Sequence, residues 1–259
     1  MAVPVFDLHS DLLLRVVDSG IGLDSDLPWP QTTLPKLRAG GVRCQVFAVW
    51  LDDTLHRGAA ARDRALRILD AFDEQMARHA ASIAHARTLA QAREVTASGR
   101  IAALLWLEGG AAIAEDLDTL RRFHARGVCG MTLTWTHSLP WAGSSGDGSD
   151  LGLTPFGRDV VRLMNELGLA VDLSHASDRA FFDAVEISRS PALLTHSCCR
   201  ALCPVPRNAS DEMLRALAAT GGVMGINAWA DLLSPSRAAA WDAVARALAS
   251  EIESLRAGR

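Results

Sequence analysis

Histidines and carboxylates stand at the ends of four apolar segments of this 259-residue sequence. His9 and Asp11 end the first segment, and alternation along a strand would put both on one side, within reach of one ion. Glu108 ends a fully apolar run, where a buried carboxylate needs a metal ion or an arginine as partner. His175 and His196 end two later segments. Ligand-type residues at four strand ends predict a metal site.

Each of these residues, taken alone, also has a purely structural explanation. His9 and Asp11 suit a buried histidine beside a helix start, and Glu108 suits a structural ion pair. Taken together, five ligands exceed the four of one tetrahedral zinc ion, which indicates two ions that share Glu108. Such a pair can hold a bridging hydroxide and polarise a carbonyl group, which is hydrolase chemistry.

Composition limits the class to folded proteins with a sizeable core, since 49% of the residues are hydrophobic and 22% are charged. A net charge of -4 and the absence of tyrosine argue against a nucleic-acid partner. No apolar stretch is long enough for a membrane span and no signal segment is evident, so we expect a cytoplasmic protein without membrane contact. The five cysteines, an odd number, suit reduced thiols in that compartment.

Short apolar runs rich in β-branched residues alternate with stretches of helical periodicity, which predicts repeated βα units around a parallel sheet. Residues 1–259 then form one α/β domain, a (β/α)8-type barrel in which only seven strands are readable. The carboxyl ends of such strands share one face, where the ligand-type residues would meet. The predicted strands are Val3 to Leu8, Val42 to Trp50, Ile101 to Leu107, Cys129 to Thr134, Ala170 to Leu173, Ala192 to Thr195 and Gly222 to Asn227.

The helices and loops between the strands carry their own signals. Ser177 and Ser210 are predicted N-caps, and Gly168 is a predicted helix end. The glycine-rich stretch from Trp141 to Pro155 is predicted as a long exposed loop that lines the site. An amphipathic helix over Ser236 to Arg256 ends the pattern without an eighth strand, which predicts a C-terminally short barrel with two unpaired edges. Apolar helix faces are predicted at Ala65, Leu66, Leu69, Phe72 and Met76, at Leu117, Leu120 and Phe123, and at Phe156, Val160, Leu163 and Leu167.

Several motifs match one known family. The longest lies between Asn165 and Ser177, and the matches extend from Phe6 to about Leu233. On these motifs the sequence resembles the membrane (renal) dipeptidase family, the zinc-dependent peptidases of family M19. The other matching motifs are Asp7 to Leu12, Leu107 to Gly109, Gly130 to Thr134, Gly152 to Gly157, Thr195 to Ser197 and Pro206 to Asn208.

The resemblance implies a (β/α)8-type barrel, a homodimer and hydrolysis of small dipeptides with two Zn²⁺ ions per chain. It also implies how the ligands are shared between the ions. His9 and Asp11 would bind one zinc ion, His175 and His196 the other, and Glu108 would bridge them as a catalytic residue.

Further residues receive roles from the same resemblance. Arg207 would hold the terminal carboxylate of the substrate in the fork of its guanidinium group, with Trp135 and Asn208 as further substrate-binding residues. Trp135 stands where many family members have a histidine that stabilises the developing oxyanion, so His137 is the candidate catalytic replacement. Family members continue to an eighth strand with an Asp-Phe-Asp-Gly-like motif whose first aspartate transfers a proton. This sequence has no counterpart, and loss of proton transfer predicts a rate lower by ~10²- to 10⁴-fold.

Two other functions are compatible with the same residues. One is a different binuclear amidohydrolase that acts on a cyclic amide or a lactone, although the carboxylated lysine of many such enzymes has only Lys36 as a candidate. The other is a catalytically weak or inactive, dipeptidase-like protein that keeps its zinc for stability. A panel of dipeptides, cyclic amides and lactones would distinguish the other amidohydrolase from a dipeptidase. Zinc binding without turnover would indicate the inactive protein.

Overall fold

The computed structural model describes residues 4–237 and residue 240, and in that part of the chain helices surround one parallel sheet. The strands are β1 (Val5–Asp7), β2 (Val42–Trp50), β3 (Ile83–His85), β4 (Ile101–Glu108), β5 (Val128–Thr132), β6 (Ala170–Asp172), β7 (Ala192–Ser197) and β8 (Val223–Ile226). The helices are α1 (Leu12–Ser19), α2 (Leu34–Ala39), α3 (Ala59–Arg78), α4 (Leu89–Ala97), α5 (Leu117–Ala125), α6 (Pro155–Leu167), α7 (Asp178–Ile187), α8 (Asp211–Ala219) and α9 (Ala230–Leu233), with a 3-10 turn at Gly110–Ile113.

Seven strands pair in the order β1-β2-β4-β5-β6-β7-β8, and each pair is parallel. They form a nearly closed barrel of the (β/α)8 type, which confirms the predicted fold class. Each of them lies within two residues of its predicted bounds. The order of ligand-bearing strand ends around the barrel therefore follows the order in the sequence.

The sequence prediction missed β3. This strand pairs with Ile101–Ala103 at the start of β4, while β5 pairs further along with Leu105–Glu108. Because β2 occupies the other edge of β4, β3 and β5 share one edge in succession. Three residues are too few to show either a helical or a strand periodicity, which is why the pattern gave no signal.

The core fills the space between the sheet and the helices as well as the barrel interior. The predicted apolar face of α3 is buried, with Ala65, Leu69 and Phe72 each at most 1% exposed. Phe72 packs against Phe47 of β2 with ring centroids 6.0 Å apart. Full burial of each such large side chain contributes about 1.5 to 3 kcal/mol, so this face holds α3 against the sheet.

The predicted helix boundaries at α6, α7 and α8 are confirmed. The Ser177 hydroxyl accepts a hydrogen bond from the amide of Ala180, and the Ser210 hydroxyl accepts one from the amide of Met213. Gly168 ends α6 in the left-handed conformation at φ 71°. These ends fix where the chain leaves β6 and β7, and therefore where their site residues lie.

The segment from Trp141 to Pro155 is not the exposed loop that its glycines predicted. Residues 141–144, 152 and 153 are buried, and the exposed positions lie near residues 146–151 and at Pro155. Gly143 packs so closely that an added Cβ would lie 1.9 Å from the carbonyl oxygen of Leu151. Gly143, Gly146 and Gly152 are needed for close packing, whereas Gly148 serves a left-handed turn, so most of the segment forms a packed wall beside the site.

The barrel has an open side between β1 and β8. Within the described residues, each of these strands pairs on one edge only, and Phe6, Ile226 and Trp229 are more than half exposed there. The predicted helix from Ser236 to Arg256 lies almost entirely outside the described residues. Of the described helices, none is long and apolar enough for a bilayer span.

Candidate metal centre

The structure brings all five predicted metal ligands to one point at the carboxyl ends of the strands. His9 and Asp11 follow β1, and Glu108 is the last residue of β4. His175 follows β6, and His196 lies near the end of β7. Parallel pairing places the ends of neighbouring strands at one level, and this explains how residues almost 190 positions apart meet.

Glu108 lies between two sets of ligand atoms. Its Oε2 is 3.3 Å from Nε2 of His9, which in turn is 3.3 Å from Oδ1 of Asp11. Its Oε1 is 3.3 Å from Nε2 of His175 and 3.2 Å from Nε2 of His196. One carboxylate oxygen thus faces each set, which is the arrangement of a bridging ligand.

Burial and charge set the protonation of these groups. Burial would lower the pKa of His9, but the charge of Glu108 and the hydrogen bond to Asp11 hold it well above its usual value. Burial lowers the pKa of His175 to about 4, with the charge of Arg207 acting in the same direction. Burial and the charge of His9 lower the pKa of His196 to about 3. Burial would raise the pKa of Glu108, and its imidazole partners hold it well below the usual range.

The donor set fits a divalent cation. Ligand atoms of His9, Glu108 and His196 all lie within 4.8 Å of one another. The Nε2 atoms of His175 and His196 are 2.9 Å apart, which is within hydrogen-bond distance, and both rings are neutral at pH 7. Two neutral imidazoles and an ionised carboxylate that converge in this way are the forms that bind a metal ion.

The backbone at His175 is strained. Its φ of 69° lies in the left-handed region, which costs a side chain other than glycine about 1 to 2 kcal/mol. The carbonyl oxygen of His175 accepts hydrogen bonds from the amide of Ser145 at 2.8 Å and the hydroxyl of Ser145 at 3.1 Å. The packed segment after β5 therefore holds this ligand in its unusual conformation.

Arg207 lies beside the metal centre. Its Nη1 donates to Oγ of Ser197 at 2.7 Å, and its Nη2 donates to the carbonyl oxygen of His196 at 2.7 Å. Burial lowers its pKa to about 10, which leaves it fully charged at neutral pH. Of the other substrate-binding candidates, Asn208 is buried and its amide donates to the carbonyls of Cys203 and Leu232, so its visible role is to brace the loop.

Trp135 and His137 form the rim on the side of β2. Trp135 packs against Trp50 with ring centroids 4.8 Å apart, and His137 lies next to it. The Nδ1 of His137 is 2.9 Å from Oδ1 of the buried Asp53, a partner that sequence reasoning missed. The position of Asp53 after an apolar strand was the available signal. Asp53 and His137 border a cavity of about 200 Å³ that also reaches Gly110, beside the end of β4.

A parallel barrel with imidazoles and carboxylates at its carboxyl ends is typical of metal-dependent hydrolases. A family model described as membrane dipeptidase, peptidase family M19, matches residues 1–252. The chain belongs to this family. It is 34% identical over 232 residues to dipeptidase 3 of Macaca fascicularis and 29% identical over 266 residues to dipeptidase ataJ of Aspergillus terreus. These matches cover 85% and 90% of this chain, which spans 46% and 65% of the lengths of the two relatives.

Solved structures of similar fold agree with the family. A metallo peptidase from Rhodobacter sphaeroides, liganded with a phosphinate mimic of the dipeptide L-Ala-D-Ala, superposes with a TM-score of 0.84 at 27% identity. The match covers 91% of this chain and 76% of that one. Dipeptidase AC, a metallo peptidase of family M19, gives a TM-score of 0.80 at 28% identity and covers 91% of this chain and 75% of its own.

Proposed function

We propose that this protein is a dipeptidase that binds two zinc ions per chain in the five-ligand centre of the barrel. The position of Glu108 is the observation that carries this proposal, because its two oxygens face separate sets of ligand atoms. Membership of the dipeptidase family supports the reaction. The dipeptide mimic in the Rhodobacter sphaeroides structure supports the substrate class.

The residues divide the work of hydrolysis. When bound, the zinc ions supply an activated water molecule and polarise the scissile carbonyl group. Glu108 would hold both ions, and the neutral rings of His175 and His196 would offer lone pairs without first losing a proton. Arg207 binds the terminal carboxylate of the dipeptide, and its hydrogen bonds to the end of β7 fix the direction of its guanidinium group.

His137 is the catalytic candidate on the opposite rim. Because Asp53 accepts the hydrogen bond of Nδ1, the Nε2 atom of His137 is left to contact the reacting group. The ring of Trp135 lies next to that of His137. On its other side Trp135 is close to Gly109 after β4, where an added Cβ would lie 3.3 Å from Cβ of Trp135. We assign Trp135 to the wall of the substrate pocket. Asn208 holds the loop that carries Arg207 in place.

Zinc content and hydrolysis of a small dipeptide panel, measured on the purified full chain with and without chelator, test the proposal. The panel includes L-Ala-D-Ala and one cyclic amide. We expect about two zinc ions per chain and chelator-sensitive hydrolysis of dipeptides. Stoichiometric zinc without turnover would instead indicate a non-catalytic zinc-binding protein, and preference for the cyclic amide a different amidohydrolase.

A pair of variants tests whether the activity depends on the metal centre. Glu108→Gln keeps the size of the side chain but removes the charge that faces three imidazoles, so we expect loss of zinc from both positions and loss of turnover. Glu74→Gln makes the same change at an exposed glutamate of α3 and is expected to retain both. Full zinc content in Glu108→Gln would contradict the bridging role.

We also propose a cytoplasmic homodimer. All five cysteines are free thiols, in line with the reducing compartment expected from the sequence. Sedimentation velocity of the purified chain gives the mass in solution, and a monomer at micromolar concentration would contradict the dimer. Fractionation of cells that produce the protein tests its location.

A further inference from the structure

Asp172, the last residue of β6, is a fully buried carboxylate that accepts four hydrogen bonds. Its Oδ1 accepts from the amides of Ser174 and Thr195, each at 3.0 Å. Its Oδ2 accepts from the hydroxyls of Thr132 and Thr195, each at 2.6 Å. All four partners are donors to this group, so Asp172 is an ionised acceptor that joins the ends of β5, β6 and β7.

The hydroxyl of Thr195 makes a second contact. Its Oγ1 is 2.8 Å from Nδ1 of His196, the next residue and one of the metal ligands. A hydroxyl has one hydrogen to donate, and here that hydrogen goes to the charged Asp172. The Thr195 oxygen is then an acceptor toward His196, which requires the hydrogen of the imidazole to be on Nδ1. The lone pair of His196 is consequently on Nε2. This atom lies 3.2 Å from Oε1 of the ionised Glu108 and 2.9 Å from Nε2 of His175, so in the metal-free protein a hydrogen on Nε2 of His175 has to serve both acceptors.

The opposite assignment is unfavourable. If Thr195 donated to His196 instead, its oxygen would face Oδ2 of Asp172 at 2.6 Å with no hydrogen between them. Two acceptors at that distance in a buried site repel each other. The direction of the chain of hydrogen bonds is therefore set by the buried charge.

From these contacts we infer that Asp172 and Thr195 form a relay that fixes the tautomer and orientation of His196, so that its Nε2 lone pair points at the metal. Both are positioning residues, since neither touches the metal. The relay rests on the metal centre of the proposed function but is independent of the substrate. Hydrogen-bond partners of this kind typically change metal affinity 10- to 100-fold.

The chain offers a matched control for this relay. Thr132 donates to the same oxygen of Asp172 at the same distance of 2.6 Å as Thr195. Within the described part of the chain, the hydroxyl of Thr132 makes no hydrogen bond to His196. Thr195→Val and Thr132→Val therefore remove equivalent hydrogen bonds from the carboxylate, but only the first interrupts the relay.

Competition with a chromophoric chelator measures zinc affinity in the full-length variants. We expect Thr195→Val to bind zinc 10- to 100-fold more weakly than the wild type, Thr132→Val to stay within about threefold, and Thr195→Ser to restore binding. Thermal unfolding of the metal-free proteins shows whether the two valine variants are equally destabilised. Equal zinc affinities in the two valine variants would overturn the relay.

A spectroscopic readout needs neither zinc nor turnover. The ¹⁵N chemical shifts of His196 in metal-free protein at neutral pH report which ring nitrogen carries the hydrogen. We expect the Nδ1–H form in the wild type and in Thr132→Val, and a mixture of tautomers in Thr195→Val. An unchanged tautomer in Thr195→Val would also overturn the relay. Failure of the wild type to bind zinc, with these shifts as expected, would count against the proposed function alone.

Discussion

One buried carboxylate faces three imidazole rings at the metal centre, and the surroundings of each ring set its charge. His9 lies between two carboxylates and holds a proton, while burial and nearby positive charge keep His175 and His196 neutral. A metal ion consequently has to displace a proton from His9 but not from the other two rings. Metal affinity is therefore expected to decrease as the pH is lowered, chiefly because His9 becomes protonated.

The metal-free protein should lose stability in acid. In the unfolded chain His175 and His196 bind protons near pH 6.5, whereas in the folded protein their pKa values are about 4 and 3. The unfolded state binds more protons below pH 6.5, so the free energy of unfolding falls from there to about pH 4, by up to about 1.4 kcal/mol per pH unit for each ring. The raised pKa of His9 gives the opposite slope only at higher pH.

Urea unfolding of chelator-treated protein at pH 7 and pH 5 measures this loss. His196→Gln removes one of the two rings and is expected to show a smaller difference between the two pH values. The same difference in the variant and the wild type would contradict the assignment of neutral histidines.

Arg207 should act on substrate binding more than on the chemical step. Arg207→Lys keeps the charge but removes the fork that grips a carboxylate, so we expect KM for dipeptides to rise at least about tenfold with a smaller change in kcat. Arg215→Lys is the control, because it makes the same change at an exposed arginine of α8. Steady-state kinetics of both variants decide the matter, and a purely kcat effect in Arg207→Lys would contradict it.

At the scale of elements, position along a strand carried most of the predictive signal. The convergence of the five predicted ligands could be foreseen because each follows an apolar run, and parallel strands bring such positions together. Asp53 was not predictable as the partner of His137, because both residues lie in loops and the strand pattern does not say how two loops are placed relative to each other. The segment from Trp141 to Pro155 was predicted as exposed, but much of it is packed, because glycine content does not distinguish close packing from flexibility.

That segment should tolerate alanine at one glycine far better than at another. In Gly143→Ala the new Cβ would lie 1.9 Å from a backbone oxygen, so the wall must shift, and we expect a loss of more than about 2 kcal/mol. In Gly148→Ala the new Cβ would have no atom within 4 Å. The left-handed backbone at φ 68° is then the one source of destabilisation, about 1 kcal/mol. Chemical denaturation of both variants measures the difference, and equal stabilities would contradict the packed wall.

For the whole molecule, the metal centre joins the first strand to strands that follow more than 90 residues later. Its ligands come from β1, β4, β6 and β7, while β1 and β8 pair on one edge only within the described residues. A metal ion bound by these residues would therefore crosslink one side of the open barrel to the other. It would add contacts between strands that the sheet does not pair directly.

Removal of zinc should lower thermal stability. At free zinc about 1,000-fold above its Kd, binding to the folded state alone stabilises by about 4 kcal/mol, which corresponds to a rise in Tm of roughly 10 °C. Differential scanning calorimetry with and without chelator measures this shift. Glu108→Gln should show a Tm that does not respond to chelator, and a wild-type Tm without response would contradict a metal crosslink.

The left-handed backbone at His175 sets stability and metal binding against each other at one position. Glycine would adopt φ 69° without strain. Histidine at this position lowers the stability of the fold and is an advantage only when metal binding is required. A library of random variants selected for heat resistance in the absence of metal should therefore accumulate glycine or asparagine at this position early. The same library selected for growth on a dipeptide should keep the histidine, so the two selections would diverge first at a single codon.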